Sequence, residues 1–276
     1  MTRGGAREGD PPPAPEPLPV AVADSHCHLD LMGGSVEDAL VQATATGVDT
    51  VIQVGVDLPS SIASAELAAR HDRVWAAVAV HPNEAGAGAA TDEVLREIER
   101  LAALPHVVAV GETGLDHFRT GAEGHRAQED SFRAHIAIAK RTGTTLVIHD
   151  RDAHDDVLRV LDEEGAPDAV VFHCFSGDAE MARLCADRGW FVSFAGNVTF
   201  RGAGALREAA AATPVGQLLV ETDAPFLTPV PYRGRPNAPY LVPLTVQALA
   251  TACDLSLETL CVTLAANTRR AFLLPE

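Results

Sequence analysis

The sequence predicts an α/β fold, a (β/α)8 (TIM) barrel in a single domain, and three observations support this prediction. Eight short apolar runs rich in β-branched residues alternate with longer segments whose apolar residues recur at helical spacing. The 257 residues that follow Pro19 match the roughly 250 residues typical of such a barrel. Polar side chains follow nearly every run, as they do where strand ends meet at one barrel mouth. A doubly wound open sheet is the structural alternative.

Each predicted strand is a short apolar run that ends in polar residues or glycine. The first six runs are almost continuously apolar, which is typical of parallel strands covered on both faces. The eight predicted strands cover residues 20–24, 50–54, 74–80, 107–110, 145–148, 169–172, 190–194 and 217–220. The predicted helices between and after them cover residues 36–46, 60–69, 91–103, 126–141, 152–163, 179–187 and 205–211. Two further helices, near 241–253 and at 257–266, are expected to close the barrel.

The N-terminal segment differs in composition from the rest of the chain. Residues 1–19 contain six prolines among glycine, arginine and glutamate. Such a composition cannot bury enough apolar surface to offset the entropy lost on ordering. We therefore predict a disordered Pro-rich tail over residues 1–19 and a barrel domain over residues 20–276. A ligand for a proline-recognition domain is the alternative interpretation of the tail.

Net charge, hydropathy and cysteine spacing limit the classes of function and location that fit this chain. The chain has 21 basic and 38 acidic residues, and its net charge of −17 is unfavourable for gripping a long phosphate backbone. No apolar stretch approaches the roughly 20 residues that span a bilayer, and no apolar core follows the basic start of the chain. The five cysteines lack C-x-x-C spacing, so we expect reduced thiols. We expect a cytoplasmic protein with no membrane segment and no obligate protein partner.

Histidines and carboxylates at the predicted strand ends indicate a metal site. His26 and His28 lie two residues apart, so on a strand they project to the same side and can bind one cation. Later strand ends contribute Glu112, His149, His173 and Asp223. Taken singly, a histidine such as His149 or His173 is more often buried and hydrogen-bonded than a ligand. Together, four imidazoles and two carboxylates are costly to bury without cations, which favours two divalent ions: zinc, manganese or iron, with magnesium accessible through the carboxylates.

Seven ordered motifs extend this pattern over nearly the whole chain after the tail. They are Asp24-Ser25-His26-Cys27-His28-Leu29-Asp30, Val80-His81-Pro82, Gly111-Glu112-Thr113-Gly114-Leu115-Asp116, Val147-Ile148-His149-Asp150-Arg151, His173-Cys174-Phe175-Ser176-Gly177, Ser193-Phe194-Ala195-Gly196-Asn197-Val198-Thr199-Phe200 and Glu221-Thr222-Asp223-Ala224-Pro225-Phe226-Leu227. In these motifs the chain resembles the TatD family of metal-dependent hydrolases, within the amidohydrolase-like barrels. The resemblance implies that His26, His28 and Asp223 hold one metal. It also implies that His149 and His173 hold a second metal and that Glu112 bridges the two.

Two positions depart from the family pattern. Ala238 stands where the family usually has a glutamate, so a polar contact of that loop is absent. His135 stands where a glutamine is expected, in the helix that carries Gln128 and Phe132. We interpret His135 as a change in packing or in the surroundings of the site, because no ligand is lost.

Within the implied site, Asp223 and Glu112 are the candidate catalytic residues. Two cations bridged by Glu112 would lower the pKa of a bound water and stabilise charge on phosphodiester oxygens. Asp223 can accept a proton at the metal, and a helix N-cap is the alternative role for this residue. His81, Arg151 and Arg233 are the candidate substrate-binding residues, since a guanidinium pairs with phosphate through two hydrogen bonds. Surface salt bridges and capping of a loop by His81 are the alternatives.

Three function classes follow from these observations. The resemblance implies a metal-dependent hydrolase acting on ester bonds, a phosphodiesterase or deoxyribonuclease that trims an end or a single strand of DNA. An amidohydrolase or esterase acting on a small molecule is the alternative, because related barrels use similar metals for acyl chemistry. A metal-binding protein without catalysis is disfavoured, because every expected ligand and the candidate base are present. Arg151 and Arg233 favour a phosphate-containing substrate.

Overall fold

Eight parallel strands lie in one sheet, and their order in the sheet is their order in the chain. The structure is a computed structural model that describes residues 9–275. The strands are β1 (Val22–Cys27), β2 (Val48–Val54), β3 (Val74–Val78), β4 (Val107–Asp116), β5 (Thr145–Arg151), β6 (Val170–Phe172), β7 (Phe191–Phe194) and β8 (Leu218–Val220). Helices follow the strands, which confirms the predicted (β/α)8 barrel.

Ten α-helices are present in the described residues, and one of them was not predicted. They are α1 (Val36–Ala45), α2 (Leu58–Ala68), α3 (Pro82–Gly86), α4 (Asp92–Ala102), α5 (Ala122–Thr142), α6 (His154–Glu164), α7 (Ala179–Asp187), α8 (Gly204–Ala212), α9 (Val242–Ala252) and α10 (Leu257–Ala271). The unpredicted helix is α3, which is too short to show a periodic apolar pattern. Among the described residues no single helix is long and apolar enough to cross a membrane, and the pair Pro239–Ala252 and Leu257–Ala271 meets that criterion only across a bend of 111°.

The chain divides into two compact units. The first comprises the described residues up to Ile52 together with Gly177–Thr268, and it holds β1, β7 and β8. The second comprises Gln53–Ser176 and the residues from Arg269 onward, and it holds β3, β4, β5 and β6. Within the first unit, the last residue of β1, Cys27, forms a parallel bridge with Ala224 beyond the end of β8. This bridge joins the first strand of the sheet to the last.

Burial explains why the apolar runs form strands. All six residues of β1 and all ten of β4 are buried. In the second unit α5 lies against β4 and contributes Phe132 and Ile136, which are 0% and 1% exposed. Full burial of each such side chain stabilises the fold by roughly 2 kcal/mol. The buried side chains of α5 therefore hold this helix against β4.

Strands β4 and β5 continue past their predicted ends at Val110 and Ile148. Gly111 and Gly114 have φ angles of 150° and 133°, and a Cβ at either position would overlap a carbonyl oxygen of β5. Only glycine allows the two strands to approach so closely. The register between them also shifts between Val110 and Thr113, where β4 carries one extra residue. The predicted strand 107–110 ended before Gly111, whereas Gly111 and Gly114 both lie inside the observed β4.

Part of the tail that we predicted to be disordered makes specific contacts within the first unit. Residues 9–19 contain no helix or strand. The Tyr240 hydroxyl donates to the Pro12 carbonyl oxygen at 2.7 Å, and the Arg235 side chain donates to the carbonyl oxygens of Asp10 and Pro11 at 2.9 and 2.8 Å. Disorder is therefore the wrong prediction for these three residues, because composition does not show that their carbonyl oxygens find donors elsewhere in the chain. Residues 1–8 lie outside the described residues.

Candidate metal centre

The first ligand cluster consists of His26, His28 and Asp223, all in the first unit. His26 lies in β1 and His28 just after it, and their Nε2 atoms are 3.3 Å apart. The Asp223 Oδ1 atom lies 3.6 Å from His28 Nε2 and 4.0 Å from His26 Nε2. Ligand atoms bound tetrahedrally at about 2.1 Å from one zinc ion lie about 3.4 Å from each other. The spacing of these donors therefore fits a single divalent cation, as the alternation of side chains along a strand predicts.

Buried hydrogen bonds fix the strand end that carries Asp223. Asp223 has a φ of 51°, a left-handed conformation that aspartate tolerates better than most residues. The preceding Thr222 donates from its backbone nitrogen and its hydroxyl to the Asp24 carboxylate, at 2.8 and 2.5 Å. Asn237 Nδ2 donates to the Thr222 carbonyl oxygen at 3.0 Å. Burial raises the pKa of Asp24 to about 7, against the hydrogen bonds from Thr222, which lower it.

The second ligand cluster surrounds Glu112 in the second unit. The Glu112 Oε1 atom lies 2.5 Å from His149 Nδ1, 2.9 Å from His173 Nε2 and 3.2 Å from His81 Nε2. The other ring nitrogen of His149, Nε2, lies 3.3 Å from Asp116 Oδ2. Glu112 is 4% exposed and Asp116 is fully buried, so both carboxylates are largely removed from water. The cluster offers nitrogen and oxygen donors in the mixture that zinc, manganese and iron accept.

Positive charge holds the carboxylates of the second ligand cluster ionised. Burial alone would raise the pKa of Glu112, but the charges of His81 and His173 and the hydrogen bonds from His149 and His173 hold it well below its usual value. Burial likewise lowers the pKa of His149, but its hydrogen bonds to Asp116 and Glu112 raise it above the usual value. A proton on His149 thus balances part of the buried negative charge, whereas burial lowers the pKa of His81. A divalent cation can replace such a proton, which is the electrostatic argument that the residues fit a metal.

The structure brings the predicted ligands together in two groups. His26, His28 and Asp223 form the first, and Glu112 with His149 and His173 forms the second. His81, which we predicted to bind substrate, lies at the second ligand cluster, beside Glu112 and His149. Its Nδ1 atom also accepts a hydrogen bond from the Asn83 backbone nitrogen at 3.0 Å, so His81 caps the loop as well.

The two predicted substrate-binding arginines each lie over an aromatic ring. The guanidinium carbon of Arg151, at the end of β5, is 4.0 Å from the centroid of Phe118. That of Arg233, after β8, is 4.5 Å from the centroid of Phe200. Within the described residues, neither guanidinium forms an ion pair with a carboxylate. Both side chains are therefore held by ring contacts that leave their N–H groups able to bind an anion.

Sequence reasoning missed three residues that the structure places at or beside the site. Asp116 contacts the ligand His149, and its position at the end of a glycine-containing motif was the available signal. Asp24 anchors the strand end of Asp223 and begins the motif that contains His26. The Phe118 ring lies against the Arg151 guanidinium, and no local sequence pattern reveals this contact.

The departure at His135 proves to be a change in packing within the second unit. His135 Nε2 accepts a hydrogen bond from the Val80 backbone nitrogen at 3.1 Å, and its Nδ1 donates to the Ser131 carbonyl oxygen at 2.7 Å. These contacts require the neutral ring, and burial lowers the pKa of His135 to about 4. His135 therefore supports the residue before His81 without being a ligand.

Comparisons with known proteins identify the family of the chain. The family model described as TatD related DNase matches residues 23–273. A Mycobacterium tuberculosis protein named as an uncharacterised metal-dependent hydrolase TatD is 49% identical over 258 residues, which cover 90% of this chain and 97% of that protein. A Klebsiella pneumoniae protein named as a 3'-5' ssDNA/RNA exonuclease TatD is 34% identical over 222 residues, covering 78% of this chain and 83% of that protein.

Solved structures resemble the chain over nearly its whole length. The TatD homologue YjjV from Escherichia coli superposes with a TM-score of 0.86 at 27% identity, covering 92% of this chain and 98% of that chain. A hydrolase of the TatD family from Entamoeba histolytica has the same fold, with a TM-score of 0.81 at 18% identity and coverage of 94% and 100%. With the family model matching almost all of the barrel, the chain belongs to the TatD family of metal-dependent hydrolases.

Proposed function

We propose that the chain is a two-metal phosphodiesterase that removes nucleotides from an end or a single strand of DNA. The observation that carries this proposal is the pair of ligand clusters at strand ends of one barrel, each followed in its unit by an arginine without a carboxylate partner among the described residues. The relative that is named as a 3'-5' ssDNA/RNA exonuclease supports a nucleic-acid substrate.

In this proposal the two ligand clusters serve one reaction site. His26, His28 and Asp223 would hold one divalent cation, His149 and His173 would hold the other, and Glu112 would be shared. Strand order supports this assignment, because a barrel gathers the C-terminal ends of all its strands at one mouth. Zinc, manganese or magnesium ions would supply Lewis acidity and positive charge against the phosphodiester oxygens.

Asp223 is the proposed general base. Its side chain is 16% exposed, so water reaches it, and its Oδ1 atom lies among the imidazoles of the first ligand cluster. A carboxylate in that position can accept the proton of an attacking water. Arg151 and Arg233 are proposed to bind phosphate oxygens, and His81 is proposed to orient the scissile group beside Glu112.

The experiment compares matched substrates and matched variants. Metal-loaded protein is incubated with an end-labelled single-stranded DNA, its blunt duplex, an RNA of the same sequence and a panel of carboxylic esters and amides. The central variant is Asp223→Asn, and its control is Asp254→Asn. Asp254 is an exposed aspartate that also has a left-handed backbone, with φ of 53° against 51° for Asp223. Both variants change one carboxylate to an amide in the same backbone conformation.

We expect release of nucleotides from single-stranded DNA, a loss of at least about 100-fold in turnover for Asp223→Asn, and no loss for Asp254→Asn. Circular dichroism and the thermal midpoint check that both variants are folded. Hydrolysis of esters or amides without cleavage of any nucleic acid would overturn the proposal in favour of the small-molecule alternative. Full turnover by Asp223→Asn would contradict the role of Asp223.

A further inference from the structure

We infer that Phe118 and Arg151 form a nucleotide-binding platform, in which an unpaired base stacks on the Phe118 ring and Arg151 binds a neighbouring phosphate. This inference rests on the proposed function and concerns how the same site selects a single strand. The pair is called the Phe118–Arg151 platform below. Its phenylalanine is 62% exposed to solvent.

Phe118 is unusual among the phenylalanines of the chain. It is 62% exposed, whereas the other eight are buried or only partly exposed. Among the described residues it is the one aromatic side chain in the set of exposed large hydrophobic residues. Apart from its contact with Arg151, the exposed ring packs into no core. An exposed aromatic side chain is a common anchor for a ligand.

The platform is adjacent to the second ligand cluster. Phe118 lies two residues after Asp116, which contacts His149. Arg151 lies two residues after His149 on β5, a distance of about 7 Å along an extended strand. Asp116 and Arg151 are also direct partners in the register of β4 and β5. A base on Phe118 would therefore belong to a nucleotide next to the bond that is cut.

Hydrogen bonds hold the platform rigid although Phe118 is exposed. The backbone nitrogens of Phe118 and Arg119 donate to Asp116 Oδ1 at 3.1 and 2.8 Å. The backbone nitrogen of His117 donates to the Arg151 carbonyl oxygen at 2.9 Å, which ties the two strand ends together. A backbone that is already in place loses little conformational entropy when a ligand binds.

The chemistry of the platform suits a single strand and an acidic protein. Every base has a π-face, so stacking on an aromatic side chain tolerates any sequence and does not depend on net charge. In a duplex the bases are paired and stacked on each other, so a terminal or unpaired base is the one that can reach Phe118. Arg151 adds one phosphate contact, which is consistent with a chain whose net charge of −17 opposes a long basic footprint.

The test removes the Phe118 ring from the protein and, separately, the terminal bases from the DNA. The variants are Phe118→Ala, Phe118→Trp, which keeps an aromatic ring, and Val41→Ala. Val41 is a 68% exposed apolar residue on α1, so its substitution controls for removal of exposed apolar surface. Each protein is assayed on a single-stranded DNA and on the same strand with tetrahydrofuran abasic residues in the three terminal positions at both ends. Binding is measured separately, by quenching of a terminal 2-aminopurine base in the Asp223→Asn background.

We expect Phe118→Ala to lower kcat/KM on the normal strand by about 5- to 150-fold, mainly through KM, and to change it less than about twofold on the abasic strand. Phe118→Trp keeps both activity and the quenching of 2-aminopurine, whereas Phe118→Ala abolishes the quenching. Val41→Ala changes nothing.

An equal loss on the normal and abasic strands, or unchanged quenching in Phe118→Ala, would overturn the inference while leaving the proposed function intact. If the wild-type protein cleaves neither strand but hydrolyses esters, the proposed function fails first, and the platform inference fails with it. The two failures are therefore distinguished by the behaviour of the wild-type protein alone.

Discussion

Substitution of Gly114 by alanine tests how closely β4 and β5 must approach to place the second ligand cluster. A Cβ at Gly114 would overlap the His149 carbonyl oxygen, far inside the 3.0 Å below which such contacts essentially do not occur. The strands would have to separate by about 1 Å to reach ordinary contact. The φ of 133° adds about 1–3 kcal/mol of backbone strain for a residue with a Cβ. With a further 1–3 kcal/mol for the overlap, we expect a loss of about 2–6 kcal/mol in the free energy of unfolding.

Gly143→Ala is the matched control. Gly143, at the end of α5, also has a positive φ, 67°, but a Cβ added there would meet nothing within 4 Å. We expect Gly143→Ala to cost about 1–2 kcal/mol for the left-handed conformation alone. Urea denaturation gives both free energies of unfolding, and calorimetric titration with zinc gives metal affinity. Because His149 moves with its strand, Gly114→Ala should weaken zinc binding by about 10- to 100-fold, and Gly143→Ala should not. Equal losses of stability, or unchanged zinc affinity in Gly114→Ala, would refute this reasoning.

Three further outcomes are expected. Burial lowers the pKa of His135 from 6.5 to about 4, so the unfolded chain binds the proton more tightly than the folded chain. The free energy of unfolding should therefore fall by up to about 3 kcal/mol as the pH drops from 6.5 to about 4. Urea denaturation in the presence of a chelator should show a smaller fall between pH 7 and pH 4.5 for His135→Gln than for the wild-type protein. Tyr240→Phe removes the hydrogen bond to Pro12 and should cost about 1 kcal/mol by the same assay, whereas no loss would mean that this part of the tail is not held. Removal of divalent ions with a chelator should lower the thermal midpoint measured by calorimetry by about 5–10 °C for each site whose ion had been present at 100 times its dissociation constant, and an unchanged midpoint would argue against a metal centre.

Apolar periodicity was sufficient to predict the barrel, but it could not place the ends of β4 and β5. The prediction ended β4 at Val110 because glycine usually interrupts a strand. In the structure Gly111 and Gly114 are the residues that let β4 continue beside β5. Whether a glycine ends a strand or permits close contact depends on the neighbouring strand, which lies some 35 residues away in the chain and leaves no local signal.

The residues of the two ligand clusters were easier to predict from the sequence than the residues that hold them in place. His26 and His28 share a strand, so alternation of side chains alone predicts that they converge. Asp116 escaped prediction because its contact with His149 depends on the extra residue in β4, which shifts the register by one. Phe118 escaped because exposure is a property of the folded chain, and an isolated phenylalanine after a strand is ordinarily expected to be buried.

The net negative charge of the chain opposes binding of a phosphate substrate of the kind proposed. Divalent cations at the two ligand clusters would offset that charge locally. Without cations, the carboxylates of each ligand cluster would repel a phosphate. Under the proposed function, divalent cations would reverse the sign of the local field, and metal loading would have to precede substrate binding. With Arg151 and Arg233 as the phosphate contacts, the salt dependence of single-strand affinity should have a slope of only about −1.4, since each phosphate contact contributes about −0.7. A shallow slope requires that much of the binding energy comes from contacts that salt does not screen, and stacking on Phe118 is a contact of that kind.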